Sequence, residues 1–311
     1  MDIVLLFPGQ GSQKPGMGKD LAAAYPSARN VFDAADRALG VSISQLCFEG
    51  PEDELTATRN AQPALLTHGA AVWAVVADRV RAHVRAAAGH SLGEFTAYHA
   101  AGALAFADAL RLVRRRGELM FESGTKRPGA MAAILGLTEK KVEEACARAR
   151  DFGDVVPANY NTPEQLVISG EVAAVERAME LAKELGAKRA IRLNVSGAFH
   201  SPLMKEAAAG LEAALDAAPI AAASFPVYSN VSAYPSTGEA DTKSLLLRQL
   251  TSPVRWTELV RHTAEDLPGA LYVEMGPGAV LSTLVKRIVP GARTMTCGTP
   301  AEVELLLAAV A

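Results

Sequence analysis

Cysteine and aromatic residues are scarce in this sequence: 311 residues hold three cysteines, and phenylalanine, tryptophan and tyrosine together make up 5%. Cys47, Cys146 and Cys297 are odd in number and far apart, which excludes a disulfide framework and leads us to expect buried thiols in a reducing compartment. The six histidines form no His-x-x-x-His pair and no mixed Cys/His cluster, so no metal site is expected. No apolar run approaches the ~20 residues that cross a bilayer, which argues against a membrane protein. A formal charge of −3 leaves no electrostatic footprint for nucleic acid. The opening residues Met1-Asp2-Ile3-Val4-Leu5-Leu6-Phe7 have neither a positive n-region nor a cleavage site. They read as a first strand rather than a signal peptide, and a soluble cytoplasmic protein is expected.

What the chain does have is apolar mass, 50% of its residues, enough for one large domain plus an insertion. It also has one stretch with chemical meaning, Gly89-His90-Ser91-Leu92-Gly93-Glu94. A short apolar run, Val84-Arg85-Ala86-Ala87-Ala88, precedes it, and a helix-compatible run, Phe95 to Ala101, follows. Strand, sharp turn, helix is the context in which Gly-x-Ser-x-Gly presents a nucleophile: flanking glycines allow close approach, and Ser91 Oγ projects above the sheet. The amides at the start of the following helix favour negative charge developing there. Upstream, Asp2 to Phe7 ends in Pro8-Gly9-Gln10-Gly11-Ser12-Gln13, a loop whose amides can converge on an anion. No Gly-Lys-Ser/Thr follows, so it is not a phosphate loop.

Further elements follow from periodicity. Helices are expected over 22–39, 62–82 and 106–123. Arg111, Arg115, Glu118 and Glu122 share a solvated face of the last of these. Arg116 falls between Leu112 and Met120, on or beside the apolar stripe. It is either a cleft-lining cation that needs an anionic partner or an arginine snorkelling at the stripe edge, and spacing leaves both open. From 130 to 193 the pattern reads strand (130–137), helix (138–150), strands (155–160 and 165–169), helix (172–185) and strand (188–193). That βαββαβ order is the ferredoxin-like unit. The expected architecture is an α/β-hydrolase-like core with a parallel sheet, made of residues 1–127 and 196–311, carrying an inserted ferredoxin-like subdomain at 128–195. Ser196 to Met204 resumes the core. A helix over 202–218, a strand over 226–229, a helix over 244–250 and a strand over 271–274 follow.

A serine hydroxyl needs a neighbouring base. His90 is poorly placed, because adjacent residues at a tight turn point apart. His200 opens a new element of the same domain after Ser91 in the chain, an order that suits such a sheet. No acidic third member is evident, and a backbone carbonyl can hold the Nδ1 proton instead. Amides of Leu92 and of the Gly9-Gln10-Gly11 loop could form an oxyanion hole. These parts describe acyl transfer and leave open whether water or another nucleophile accepts the acyl group.

Taken together, Phe7-Pro8-Gly9-Gln10-Gly11-Ser12-Gln13, Gly89 to Glu94, Arg116-Gly117, Asn159-Tyr160-Asn161-Thr162-Pro163, Gly197-Ala198-Phe199-His200-Ser201, Gln249, Pro253-Val254 and Glu274-Met275-Gly276-Pro277-Gly278 resemble a known family. It is that of the malonyl-CoA:acyl carrier protein transacylases and the acyltransferase domains of polyketide synthases. The resemblance spans nearly the whole chain. It implies a Ser91–His200 dyad with His200 oriented by the main chain near Gln249, and an oxyanion hole from the Gln10 and Leu92 amides. It also implies Arg116 as the carboxylate anchor, with Gln249, Phe199 and Asn161 in the substrate site. The implied reaction is ping-pong: Ser91 takes malonyl from malonyl-CoA, and the phosphopantetheine thiol of acyl carrier protein takes it from Ser91, for fatty-acid synthesis. No cofactor is implied, and a monomer is expected. Phe199, before the base, implies malonyl over methylmalonyl. The acidic carrier should meet a basic face, with Lys126-Arg127, Lys188-Arg189 and Lys286-Arg287 as candidates. A polyketide or malonate-decarboxylase context, or a serine hydrolase or thioesterase, are the alternatives.

Overall fold

The computed structural model describes residues 1–195 and 197–311. Ser196, the expected first residue of the returning core, lies outside the described residues. Among the described residues ten strands occur in chain order: β1 (Ile3–Phe7), β2 (Val84–Gly89), β3 (Gly129–Leu135), β4 (Val155–Thr162), β5 (Gln165–Glu171), β6 (Arg189–Arg192), β7 (Val227–Tyr228), β8 (Pro235–Ser236), β9 (Leu271–Met275) and β10 (Arg293–Cys297). They form two sheets, ordered β10-β9-β1-β2-β7-β8 and β4-β5-β3-β6.

The larger sheet is parallel except for the β7–β8 pair. Its central strand, β1, is buried at every residue, as a parallel strand covered on both faces must be. Ile3, Leu5 and Phe7 join one apolar cluster, with Leu65, Leu66, Val72 and Val76 of the helix Thr58–Val80. Val4 and Leu6 join the other, with Trp256, Leu259, Leu281 and Val285. The period-two alternation of the strand thus feeds two helical layers.

The smaller sheet is antiparallel throughout. Ala130, Ala132 and Ile134 on one face of β3 pack against the helices Glu139–Ala149 and Val172–Glu184. Met131 and Val167 on the opposite face join the larger cluster of the main body, so that face is buried against the main body.

Several elements differ from expectation for local reasons. The helix expected over 22–39 is two, Lys19–Ala24 and Pro26–Leu39, with Tyr25 extended at φ −126° and ψ 115° between them. The ring of Pro26 disfavours helical backbone in the residue before it. The helix expected from Gln62 begins at Thr58 and carries Pro63 in its interior. Proline leaves the carbonyl four residues back without its donor; here Arg114 Nη1 donates to that Arg59 carbonyl at 3.1 Å. The helix expected over 244–250 starts earlier, at Glu239, and the one expected over 202–218 opens with a 3₁₀ turn at Pro202–Met204. The short helices Ile43–Glu49 and Glu52–Thr56, the edge strand β10 and the helix Pro300–Ala309 carry too little periodicity to be read from sequence.

The three cysteines are free and buried. Among the described residues no helix is long and apolar enough to cross a membrane, and no group of His, Cys, Asp or Glu could hold a metal ion.

Candidate active site

The site lies beyond the carboxyl ends of β1 and β2, where open α/β sheets bind ligands. Leaving β2, the chain turns so tightly that a Cβ on Gly89 would sit 1.9 Å from the Gly93 carbonyl carbon, and one on Gly93 would sit 2.0 Å from the Phe7 carbonyl oxygen. Only glycine fits either place. Ser91, at the apex, has φ +52°, a left-handed conformation that costs a non-glycine residue about 1–3 kcal/mol unless its surroundings enforce it. Asn230, just past β7, does so: its side-chain oxygen accepts from the Ser91 amide at 2.7 Å and its Nδ2 donates to the Gly89 carbonyl at 2.7 Å.

His200 is the second left-handed residue of the site, at φ +56°, and is 4% exposed. Its Nδ1 lies 2.9 Å from the Gln249 carbonyl oxygen. A carbonyl can only accept, so Nδ1 carries the proton and Nε2 is left as an acceptor. Nε2 lies 2.8 Å from Ser91 Oγ, so the hydroxyl donates to it. Burial pushes the imidazole down to about 3, with the Arg116 charge adding to the effect. His200 is therefore neutral, with its lone pair on the serine.

Arg116 is 1% exposed, on the helix Phe106–Lys126. Its Nη1 donates to Gln62 Oε1 at 2.8 Å; its Nη2 donates to Gln249 Oε1 at 2.9 Å and to Ser91 Oγ at 3.1 Å. Its neighbours Arg114 and Arg115 pair with Glu118 and Glu122 on the solvated face, whereas Arg116 forms no ion pair among the described residues. Desolvation lowers it to about 10, so it remains a cation. A buried cation whose nearest partners are amide oxygens is poised for an anion.

A cavity of about 110 Å³ opens over these groups, lined by Gln10, Leu92, Met120, Met131, Phe199, His200 and others. The other sequence-predicted residues fall around it in different ways. Phe199 is 5% exposed and forms part of its wall. Among the described residues the Gln10 and Leu92 amides donate to no backbone carbonyl, and Gln10 Nε2 reaches Thr58 Oγ1 at 3.2 Å. Gln249 lies beneath the cavity, behind Arg116 and Ser91. Asn161 is also set back: its Oδ1 accepts from His90 Nε2 at 2.8 Å. His90 points away from the serine, its ring centroid 5.5 Å from that of Trp256.

Three residues of the site escaped sequence reading. Gln62 holds Arg116; Asn230 holds Ser91; and Glu94, wholly buried, accepts from Gln249 Nε2 at 2.6 Å and from the Asn230 amide at 3.3 Å. Glu94 stood in the quoted motif without a task. Asn230 offered one signal, a polar residue directly beyond a short buried strand. Gln62 offered none.

A larger cleft of about 460 Å³ lies past β9 and β10, lined by Lys14, His68, Gly278, Thr299 and Glu302 among others. Its Thr296 and Thr299 hydroxyls donate to the Glu302 carboxylate, whereas the serine–histidine pair lies at the smaller cavity.

Comparison with known proteins agrees with this geometry. The family model described as "Acyl transferase domain" matches residues 4–298. The chain is similar to the malonyl CoA-acyl carrier protein transacylase of Bacillus subtilis (strain 168), at 48% identity over 98% of this chain and 96% of that one. Against the protein of the same name from Escherichia coli (strain K12), identity is 43% over 98% and 97%. The acyl-carrier-protein S-malonyltransferase crystal structure from Bartonella henselae superposes with a TM-score of 0.96 at 42% identity, covering 100% of this chain and 99% of that one. A malonyl-transacylase solved in complex with its type II polyketide synthase acyl-carrier protein superposes at 0.95, with 40% identity over 99% and 100%. With a part-buried serine–histidine pair at its centre and a family match along nearly its whole length, this chain belongs to the acyl transferase domain family.

Proposed function

We propose that this enzyme moves a malonyl group from malonyl-CoA to the phosphopantetheine thiol of acyl carrier protein, through a malonyl ester on Ser91, to supply extender units for fatty-acid synthesis. The observation that carries the reading is Arg116: a buried guanidinium, 3.1 Å from the nucleophilic oxygen, that makes no direct ion pair among the described residues. A guanidinium fork matches a carboxylate in two parallel hydrogen bonds, and malonyl is an acyl group that brings one.

The reaction then balances with the residues present and needs no cofactor. Ser91 Oγ attacks the thioester carbon as His200 Nε2 takes its proton. The oxyanion is received by the Gln10 and Leu92 amides, where a single such donor commonly contributes ~3 kcal/mol. Coenzyme A leaves with the proton from His200. In the second half the carrier thiol gives its proton to His200 and attacks the ester, and Ser91 Oγ leaves and is reprotonated. His200 is a weak base because burial, and after it the Arg116 charge, oppose its protonation. Neutralisation of Arg116 by the substrate carboxylate strengthens it at the moment it is needed.

We further read the core as α/β-hydrolase-like, made of residues 1–127 and 196–311, and the segment 128–195 as a ferredoxin-like insertion. The βαββαβ order and the β4-β5-β3-β6 arrangement support the second assignment. Phe199 in the cavity wall supports malonyl over branched acyl groups. For the carrier, two of the three basic pairs favour one groove: Lys188 and Arg287 line a cleft of about 510 Å³ with Gln165. Arg127 is instead taken up by Glu171 and Asp154. Replacing Lys188 and Arg287 together with glutamate should slow carrier-dependent deacylation more than Ser91 malonylation, and should flatten its salt dependence.

Intact-protein mass after brief mixing with malonyl-CoA tests the main reading. A malonyl adduct that is absent in Ser91→Ala, weak in Arg116→Ala and discharged by acyl carrier protein is expected. Release of free malonate without transfer would show a hydrolase instead.

A further inference from the structure

Glu94 is a fully buried carboxylate that the acyl transfer above does not use. One oxygen, Oε2, accepts from Gln249 Nε2 at 2.6 Å and from the Asn230 amide at 3.3 Å; the other, Oε1, is buried with no hydrogen bond of good geometry among the described residues, and the Ser229 side chain stands close to the carboxyl. Both partners touch the chemistry. Gln249 spends its remaining groups on Arg116 Nη2 (2.9 Å), the Ser91 carbonyl (2.8 Å) and, through its main chain, His200 Nδ1 (2.9 Å). Asn230 holds the Ser91 amide at 2.7 Å. Because Glu94 is an acceptor, the Gln249 amide must turn its NH₂ toward it and its oxygen toward the guanidinium.

The charges around Glu94 are few. Arg116 reaches it from the helix Phe106–Lys126 as the cation behind the shared glutamine. Tyr98 lies one turn along its own helix with Asp241 beyond it; the phenol is pushed upward and so stays neutral. His200, with His90 behind it, stands across Gln249 and is neutral. The site therefore holds one buried cation and one buried carboxyl, which is ionised above about pH 7. A substrate carboxylate on Arg116 makes two anions for one cation in a dry cavity, an arrangement whose cost is relieved by a proton.

We propose that Glu94 is a positioning residue that orients Gln249 toward Arg116 and His200, and that it takes up a proton when a substrate carboxylate pairs with Arg116. The inference rests on the reading of Arg116 as the carboxylate anchor. Burial already raises the Glu94 carboxyl to about 7, so the uptake is small in cost near neutrality and grows with pH.

The test is equilibrium binding of malonyl-CoA to Ser91→Ala, which cannot react, by titration calorimetry in phosphate and in Tris across pH 6–9. Uptake of up to one proton is expected, with affinity falling toward tenfold per pH unit above about 7. In Ser91→Ala/Glu94→Gln the uptake should vanish and the affinity become flat over that range. Acetyl-CoA, lacking the carboxylate, should show no uptake with either protein. A difference infrared spectrum of Ser91→Ala should gain a protonated-carboxyl band on binding malonyl-CoA, a readout that does not depend on folding of the double variant. No uptake in Ser91→Ala, or uptake that persists in the double variant, overturns the proposal, the second by assigning the proton to His200. If malonyl-CoA binds no better than acetyl-CoA, the anchor reading itself fails and takes this inference with it.

Discussion

Arg116→Lys keeps the charge and removes the fork, which makes it the sharpest single perturbation of this site. The guanidinium divides its donors: Nη1 on Gln62 at 2.8 Å, Nη2 on Gln249 at 2.9 Å and on Ser91 Oγ at 3.1 Å. An ammonium is a point donor on a shorter stem and cannot span Gln62, Gln249 and a bidentate carboxylate together. Losing one charge-assisted hydrogen bond to the substrate while stranding a buried amide oxygen should cost about 2–3 kcal/mol. At 1.36 kcal/mol per decade, that is about 30- to 150-fold in the second-order rate of Ser91 acylation by malonyl-CoA. Quenched-flow mass spectrometry gives this rate directly. Acetyl-CoA, run in parallel, has no carboxylate to lose and should react at nearly the wild-type rate, so the malonyl-to-acetyl ratio falls by the whole amount. The reasoning fails if both substrates slow equally, because the arginine would then be holding the site rather than the substrate. It also fails if malonyl transfer stays within about threefold of wild type, under 1 kcal/mol.

Other predictions follow from particular contacts. Phe199→Ser removes a buried ring from the cavity wall; competition between malonyl-CoA and methylmalonyl-CoA should shift toward the branched substrate by about 10- to 200-fold, the range that one methyl group allows. Gly93→Ala would place a Cβ 2.0 Å from the Phe7 carbonyl oxygen; because both sides are backbone, it should cost more than about 3 kcal/mol, seen as a large fall in Tm and loss of the Ser91 adduct. His68 is 1% exposed, donates from Nε2 to the Gly298 carbonyl at 3.0 Å and has no partner at Nδ1. Burial lowers it from 6.5 to about 4, so the unfolded chain takes the proton first. The stability it contributes is full above about 6.5 and drains as pH falls toward 4. Glu94, whose carboxyl is raised, acts in the opposite direction over part of that window, so the readout is a difference. Between pH 6 and pH 5, urea unfolding should show wild type losing about 1 kcal/mol more than His68→Gln.

Features encoded by neighbours in the chain were legible, and features made by strand order were not. The turn at Ser91 is written locally, because two glycines flank a serine between an apolar run and a helix. The structure gives the physical need for them in the clashes a Cβ would meet at Gly89 and Gly93. The βαββαβ order of the small sheet was readable because each element is short and bounded by turn residues. Arg116 was half legible: its phase on the helix marked it as different from Arg115, but spacing alone could not say whether it would be buried or snorkel. The break at Tyr25–Pro26 was overlooked although it is local, because amphipathic spacing continues across it.

Sequence by itself determined the candidate nucleophile, its turn, the candidate base and the family resemblance, since each depends on residues close together or on motifs in order. Only the tertiary structure decided that Gln249 serves three masters at once, that Asn230 holds Ser91 in its strained conformation, and that a carboxylate stands behind the arginine. Those relations join residues from 62 to 249 across β2, β7 and four helices. Parallel strands brought side by side by long crossovers place such groups in contact, and no periodicity within any one segment records who the neighbour will be.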